Sequence, residues 1–186
     1  MIQFYKPNPK VTGSACSFWL NQDGSIMSSL IKQDSWNEQK RIGSFSKNKD
    51  NPNARVIVKL SRIEVAGIID AIEREVEFKT YHNSQNQTLQ IKFSLYIDKV
   101  SNEKKGFSFS VGKQDKEDSS VKSSFIIGFT YPEARLLRHD LSSFLGLTLL
   151  KPNKNEDAEK RSPTQQQEKA QEEKSHVQES AEEDLW

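Results

Sequence analysis

The sequence predicts an α+β protein. Residues 1–150 form a body in which four antiparallel strands and one helix occur twice, and residues 151–186 form a disordered acidic tail. Three observations predict this. Strand candidates alternate apolar and polar residues with a period of two. Two stretches switch to helical spacing, each directly after a Ser/Thr-x-x-Glu capping box. Charge divides near residue 150: the tail holds 6 basic and 10 acidic residues, so the net charge of +1 separates into +5 for the body and −4 for the tail. The tail has no aromatic before Trp186 and carries Pro152, Pro163 and a Gln165-Gln166-Gln167 run. It cannot bury enough apolar area to offset its ordering entropy.

Residues 14–20 read as a strand with Cys16, Phe18 and Leu20 on one face. Asn21-Gln22-Asp23-Gly24-Ser25 carries the Asp-Gly signal of a tight hairpin, which leads into a second strand over 25–33. Residues 40–47 are a weaker strand candidate, and 47–53 is a polar loop with a proline. Val56, Val58 and Leu60 mark one face of a strand over 55–60. Ser61-Arg62-Ile63-Glu64 then caps a helix over about 62–76, with Ile63, Ala66, Ile69, Ile72 and Val76 at helical spacing and Ile68 on the flank.

The second half repeats this order. A short strand over 78–83 and a polar turn over 83–87 precede the clearest strand, 89–97. There Leu89, Ile91, Phe93, Leu95 and Ile97 alternate with Gln90, Lys92, Ser94 and Tyr96. Phe107, Phe109 and Val111 mark a third strand. A charged hairpin over 113–118 leads to a fourth with Phe125, Ile127 and Phe129. Thr130-Tyr131-Pro132-Glu133 caps a helix over about 131–145, with Leu136, Leu137, Leu141, Phe144 and Leu145 at helical spacing and Gly146 as its stop. Glu64 and Glu133 fall at equivalent places 69 residues apart. The two halves span about 14–76 and 77–146.

Composition excludes several classes. One cysteine rules out an internal disulfide framework and a multi-cysteine metal site. Cys16, mid-strand, reads as a small buried apolar residue. The start has no basic-then-apolar signal, and no apolar run reaches the ~20 residues needed to span a membrane. A soluble protein of the cytoplasm or nucleoid is expected. His82, His139 and His176 are scattered, and the sequence holds no phosphate-binding glycine loop and no nucleophile elbow. Glu73, Glu75 and Glu77 read as a solvated helix end. No catalytic residue, metal ligand or cofactor is expected.

Binding chemistry is better supported. Single-strand recognition needs positive charge along the backbone and exposed aromatics for base stacking. Lys92 and Tyr96 share the polar face of one strand, and Lys79 and Tyr81 share a face of its neighbour. Trp19 lies opposite the Cys16–Phe18–Leu20 face, either as a stacking platform or as a core plug. Trp36 sits in a polar segment near Lys32, Lys40 and Arg41, and Phe45 alternates with Arg41 and Lys47. These eleven residues are the nucleic-acid-binding candidates. Phe93, Phe107, Phe109 and Phe125 read as core. At the end of the tail, Glu182, Glu183, Asp184, Leu185 and Trp186 read as a partner-binding hook of apolar anchors and carboxylates, or as a segment that folds back on the basic face and competes with DNA.

The run Val58-Lys59-Leu60-Ser61-Arg62-Ile63-Glu64-Val65-Ala66-Gly67-Ile68-Ile69, the segment Phe78-Lys79-Thr80-Tyr81-His82-Asn83 and the block 125–144 resemble the Whirly single-stranded-DNA-binding proteins. Those share a fold with the transcriptional positive cofactor four and with the guide-RNA-binding proteins of kinetoplastid mitochondria. The resemblance covers about 14–146. It implies a Whirly-like fold, non-catalytic binding of single-stranded DNA, and assembly as dimers or tetramers. The family's Lys-Gly-Lys-Ala motif, which supports higher assembly, is absent; only Tyr5-Lys6 resembles its surroundings. The acidic tail with its terminal aromatic resembles that of phage and bacterial replicative single-strand binders. It implies replication or recombination proteins as partners, and the combination fits a viral or phage protein. Two alternatives stay open. One is an RNA-binding or annealing protein. The other is a structural or interaction module with no nucleic-acid affinity. Two evenly spaced helices argue against an OB-fold binder.

Overall fold

The structure is a computed structural model that describes residues 1–98, 100–118 and 122–150. The disorder expected of 151–186 and the hook residues Glu182, Glu183, Asp184, Leu185 and Trp186 lie outside the described residues.

Two four-stranded antiparallel sheets make the frame. The first has the order β1-β2-β3-β6, from β1 (Ile2–Lys6), β2 (Ser14–Leu20), β3 (Ile26–Lys32) and β6 (Arg55–Leu60). The second has the order β7-β8-β9-β10, from β7 (Phe78–Asn83), β8 (Gln87–Ile97), β9 (Lys104–Asp115) and β10 (Lys122–Phe129). Each sheet feeds one helix: α1 (Arg62–Arg74) follows β6, and α2 (Tyr131–Leu150) follows β10. A two-stranded hairpin, β4 (Ser35–Asn37) with β5 (Ile42–Ser44), fills the connection from β3 to β6.

This is the repeated architecture the sequence predicts, with four differences. The first sheet takes its fourth strand from β1, so the first unit begins at Ile2 and not near residue 14. The 40–47 candidate is not a member of that sheet; its residues 42–44 form β5 of the side hairpin. α2 runs on through Gly146 to Leu150. A glycine stops a helix when it can turn into the left-handed region with carbonyls to satisfy there; here Leu147 and Leu149 simply continue the helix. Finally, α1 buries Val65, Ile68 and Ala71, while Ile63 is 82% exposed. The buried stripe is offset from the one the apolar spacing marks: Glu64, Val65, Ile68 and Ala71 are buried, with Ile69 and Ile72 partly buried beside them.

Alternation explains the core. The inward residues of the second sheet, Ile91, Phe93, Phe107, Phe109, Val111, Phe125, Ile127 and Phe129, are all buried. They meet Phe4, Phe18, Leu30 and Val58 of the first sheet in one continuous cluster. Phe4 meets Phe129 edge-on at 4.9 Å, and Phe18 lies 5.5 Å from Phe109 between centroids. Cys16 belongs to this core, and burial pushes its thiol far up. α1 packs on β7 and β8, α2 on β9 and β10, and the helices pack on each other. A Cβ at Gly67 would stand 2.3 Å from the Phe78 ring, so glycine lets α1 approach β7 closely.

The first helix start is held by a complete box, and the second by the Glu133 carboxylate, which takes both the Thr130 N–H and the Thr130 hydroxyl. The Ser61 hydroxyl accepts from the Glu64 N–H at 3.2 Å, and Glu64 Oε2 accepts from the Ser61 N–H at 2.8 Å. Glu133 Oε2 accepts from the Thr130 N–H at 2.8 Å. Each box carboxylate also meets a base from the opposite half. His82 of β7 lies 2.6 Å from Glu64 Oε1, and Lys6 of β1 pairs with Glu133. Burial works against the charge on Glu64 and on Glu133. The surrounding donors win, and both carboxyls sit below their ordinary values.

Candidate nucleic-acid interface

The outer face of the second sheet follows from register. Lys79, Lys92, Ser110 and Ile126 stand side by side across β7, β8, β9 and β10. The next row is Tyr81, Gln90, Gly112 and Ser124. Ser94, Ser108 and Gly128 form a third, and Tyr96 opposite Gly106 ends the face. Four strands spaced about 4.8 Å apart make each row ~14 Å wide. The middle of the face is a floor of serine and glycine, and the larger side chains stand around it. A depression at one end is lined by Tyr81, Gln90, Gly112, Lys122 and Ser124.

The charges on this face are unusual for a sheet. Lys79 and Lys92 are directly opposite each other across β7 and β8, a destabilising placement for like charges. Lys92 Nζ reaches Glu77 Oε2 at 2.6 Å, and Lys79 Nζ lies 5.2 Å from the Tyr81 ring centroid. The Lys79 side chain, with a smaller contribution from Gln90, pulls the Tyr81 phenol below its ordinary value; Tyr81 in turn raises Lys79. Tyr81 and Tyr96 are half exposed, at 53% and 50%.

The first sheet presents a comparable outer face. Trp19 stands beside Met27 and Lys59, and its indole N–H donates to Asn21 Oδ1 at 2.8 Å. It is half-buried on the outward side, so it is not a core plug. Tyr5, Ala15, Ile31 and Arg55 form one row, and Gln3, Ser17, Ser29 and Ile57 the next. Arg55 is held in place: its Nε donates to Ser29 Oγ and its guanidinium to the Lys49 carbonyl. Phe45 stands edge-on to Tyr5 at 6.0 Å. The segment around Phe45 is anchored by Gln33, whose amide bonds Asn8, Gly13 and Ser35 backbone groups, and by Asp34, which accepts from the Lys47 N–H.

The eleven binding candidates therefore divide. Lys79, Tyr81, Lys92 and Tyr96 share the second outer face, and Trp19 lies on the first. Lys32 points the other way; its Nζ lies 4.9 Å from the buried Phe125 ring, because residue 32 shares the inward register of Leu30. Lys40 and Arg41 are exposed at the β4–β5 turn, with Arg41 at positive φ. Phe45 caps a 3-10 turn that contains Lys47, and neither is in a strand, so the expected face shared by Arg41, Phe45 and Lys47 does not form. Trp36 is half-buried, not exposed, and its indole N–H has no hydrogen-bond partner among the described residues. Tyr5, Arg55, Ile57, Lys59 and Ile126 stand on the outer faces without having been singled out from sequence. The single exposed apolar residue in each of β6 and β10 was the signal available.

Among the described residues, no group of His, Cys, Asp and Glu is placed to hold a metal ion. No described helix is long and apolar enough to cross a membrane.

This arrangement of sheets and helices defines a Whirly-like fold. The chain is similar to a crystal structure of WHY3 from Arabidopsis thaliana, with a TM-score of 0.53 and 14% identity over 77% of this chain and 85% of that one. It is equally similar to the plant transcriptional regulator PBF-2, with a TM-score of 0.54 and 14% identity over 80% of this chain and 81% of that one. No family model and no curated protein sequence matches the chain.

Proposed function

We propose that the chain is a non-catalytic, largely sequence-independent single-stranded-DNA-binding protein. One observation carries this reading: Lys79 and Lys92 stand opposed on an exposed sheet face beside Tyr81, over a floor of Ser110 and Gly112. A phosphate bound here would engage Lys79 and compete with Glu77 for Lys92, and Ser110 and Gly112 leave room for a base near the tyrosine ring. The fold of WHY3 and of the transcriptional regulator PBF-2 supports a nucleic-acid role. On this reading the protein coats single strands in replication, recombination or repair and assembles as a dimer or tetramer. The acidic tail recruits partner proteins or competes with DNA for the basic faces.

The test is anisotropy of labelled oligo-dT titrated with the full chain at several salt concentrations, with oligo-U alongside. Saturable binding should weaken steeply as salt rises. The Lys79→Ala/Lys92→Ala variant should bind less tightly and lose about 1.4 from the salt slope, two contacts at ~0.7 each for a single strand. No change in anisotropy with wild type at low salt and micromolar protein would defeat the proposal.

A further inference from the structure

The repeat can be followed to single residues. Glu64 and Glu133, 69 residues apart, occupy the same place in the two capping boxes. The same offset relates β6 to β10 and carries Ile57 onto Ile126. Pairing then fixes every other strand. Ile57 leads through Ser29 and Ser17 to Gln3; Ile126 leads through Ser110 and Lys92 to Lys79. One row further on, Arg55, Ile31, Ala15 and Tyr5 correspond to Ser124, Gly112, Gln90 and Tyr81. The contacts confirm this register independently. It makes Lys6 equivalent to His82, and each of these pairs with the capping-box carboxylate of the other half.

Superposing the rows places tyrosine on tyrosine and isoleucine on isoleucine at opposite corners, with Ala15, Ser17, Ser29 and Ile31 between them on the first face and Gln90, Lys92, Ser110 and Gly112 on the second. Tyr5 and Tyr81 are 57% and 53% exposed; Ile57 and Ile126 are 45% and 57% exposed. A sheet face turned to water has no folding need for an aliphatic residue at that place twice. Both corners give apolar surface suited to a base. The cations differ between the faces: Arg55 and Lys59 flank Ile57 on the first, while Lys79 and Lys92 lie in the row of Ile126 on the second.

We infer that each chain carries two equivalent stacking sites for a polynucleotide strand, one per sheet, and that Tyr5, Ile57 and Arg55 form the one on the first sheet. The inference rests on the single-strand-binding reading and extends it to a second face. Phe45 beside Tyr5 walls the first site on one side.

The experiment uses the full chain. In a Trp36→Phe/Trp186→Phe background, Trp19 is the remaining tryptophan and reports on the first face. Titration with oligo-dT should quench Trp19. By anisotropy, Tyr5→Ala/Ile57→Ser and Tyr81→Ala/Ile126→Ser should each weaken binding at least fivefold, and the combined variant more than either. Strong weakening by the second pair with no effect of the first pair and no Trp19 quenching overturns the inference and leaves single-strand binding standing. Absence of binding by the wild type overturns both. All four substituted side chains are exposed, and the Trp19 readout is taken with both sites intact, so a folding defect in a variant does not decide the outcome.

Discussion

At the residue scale, Tyr81 and Glu64 separate binding from folding. Tyr81 is exposed, has Lys79 over its ring, and accepts a hydrogen bond on its hydroxyl from Gln90 on β8, with Gly112 beyond. Its truncation to alanine is expected to weaken oligo-dT binding by about 1–3 kcal/mol, the worth of one stacked base, and to leave the urea midpoint nearly unchanged. Tyr81→Phe keeps the ring and should recover most of the affinity. Glu64 behaves in the opposite way. It satisfies the Ser61 N–H and meets His82, so Glu64→Ala should lower stability by about 1–2 kcal/mol in urea titration with intrinsic affinity for oligo-dT preserved. The distinction was only half visible in sequence. Lys79 and Tyr81 two residues apart mark a shared face. Nothing local joins Glu64 to His82, or Lys6 to Glu133, because those contacts cross from one half of the chain to the other.

At the element scale, α2 and β9 place two glycines under opposite rules. Gly146 lies inside α2, and a Cβ there meets nothing within 4 Å. Gly146→Ala should therefore raise stability by about 0.5–1 kcal/mol. Gly106 has φ of +137°, and its Cβ would stand 2.0 Å from the Phe129 carbonyl oxygen. Gly106→Ala should lower stability by about 2 kcal/mol or more, read from the same urea titrations. β1 is the element sequence missed. Its five residues give only two turns of the period-two pattern before Pro7, and it is identified by pairing with β2 rather than by its own residues. The side hairpin is hard to read from sequence for a related reason: three-residue strands carry too little alternation to reveal which sheet they join. The long strands β8 and β9 carry enough alternation to be legible alone.

At the scale of the whole molecule, charge and pH tie the halves together. Glu64 and Glu133 have carboxyls held below their ordinary values in the folded state, so each contributes stability that is complete above the unfolded value of about 4.3. That stability is lost as pH falls through the folded value. The urea midpoint should be flat from pH 7 to 5 and drop below about pH 4. A Glu64→Gln/Glu133→Gln variant should be less stable at pH 7 and show a shallower acid drop. Removal of 152–186, which leaves the compact unit 1–151, should tighten oligo-dT binding at low salt if the tail competes for the basic faces; unchanged affinity would exclude that competition.

The crossed pairs make each half depend on the other. Lys6 of the first half holds the second helix start, and His82 of the second half holds the first. Fusing two copies of one strand–helix segment head to tail, after those copies had already associated as a symmetrical pair, produces such an exchange. In a lone half-chain ending near Glu75, Lys6 would find its carboxylate on a sister molecule's Glu64, and the shared aromatic core would be completed the same way. The present chain holds inside one polypeptide an association that two separate half-chains would have to make between them.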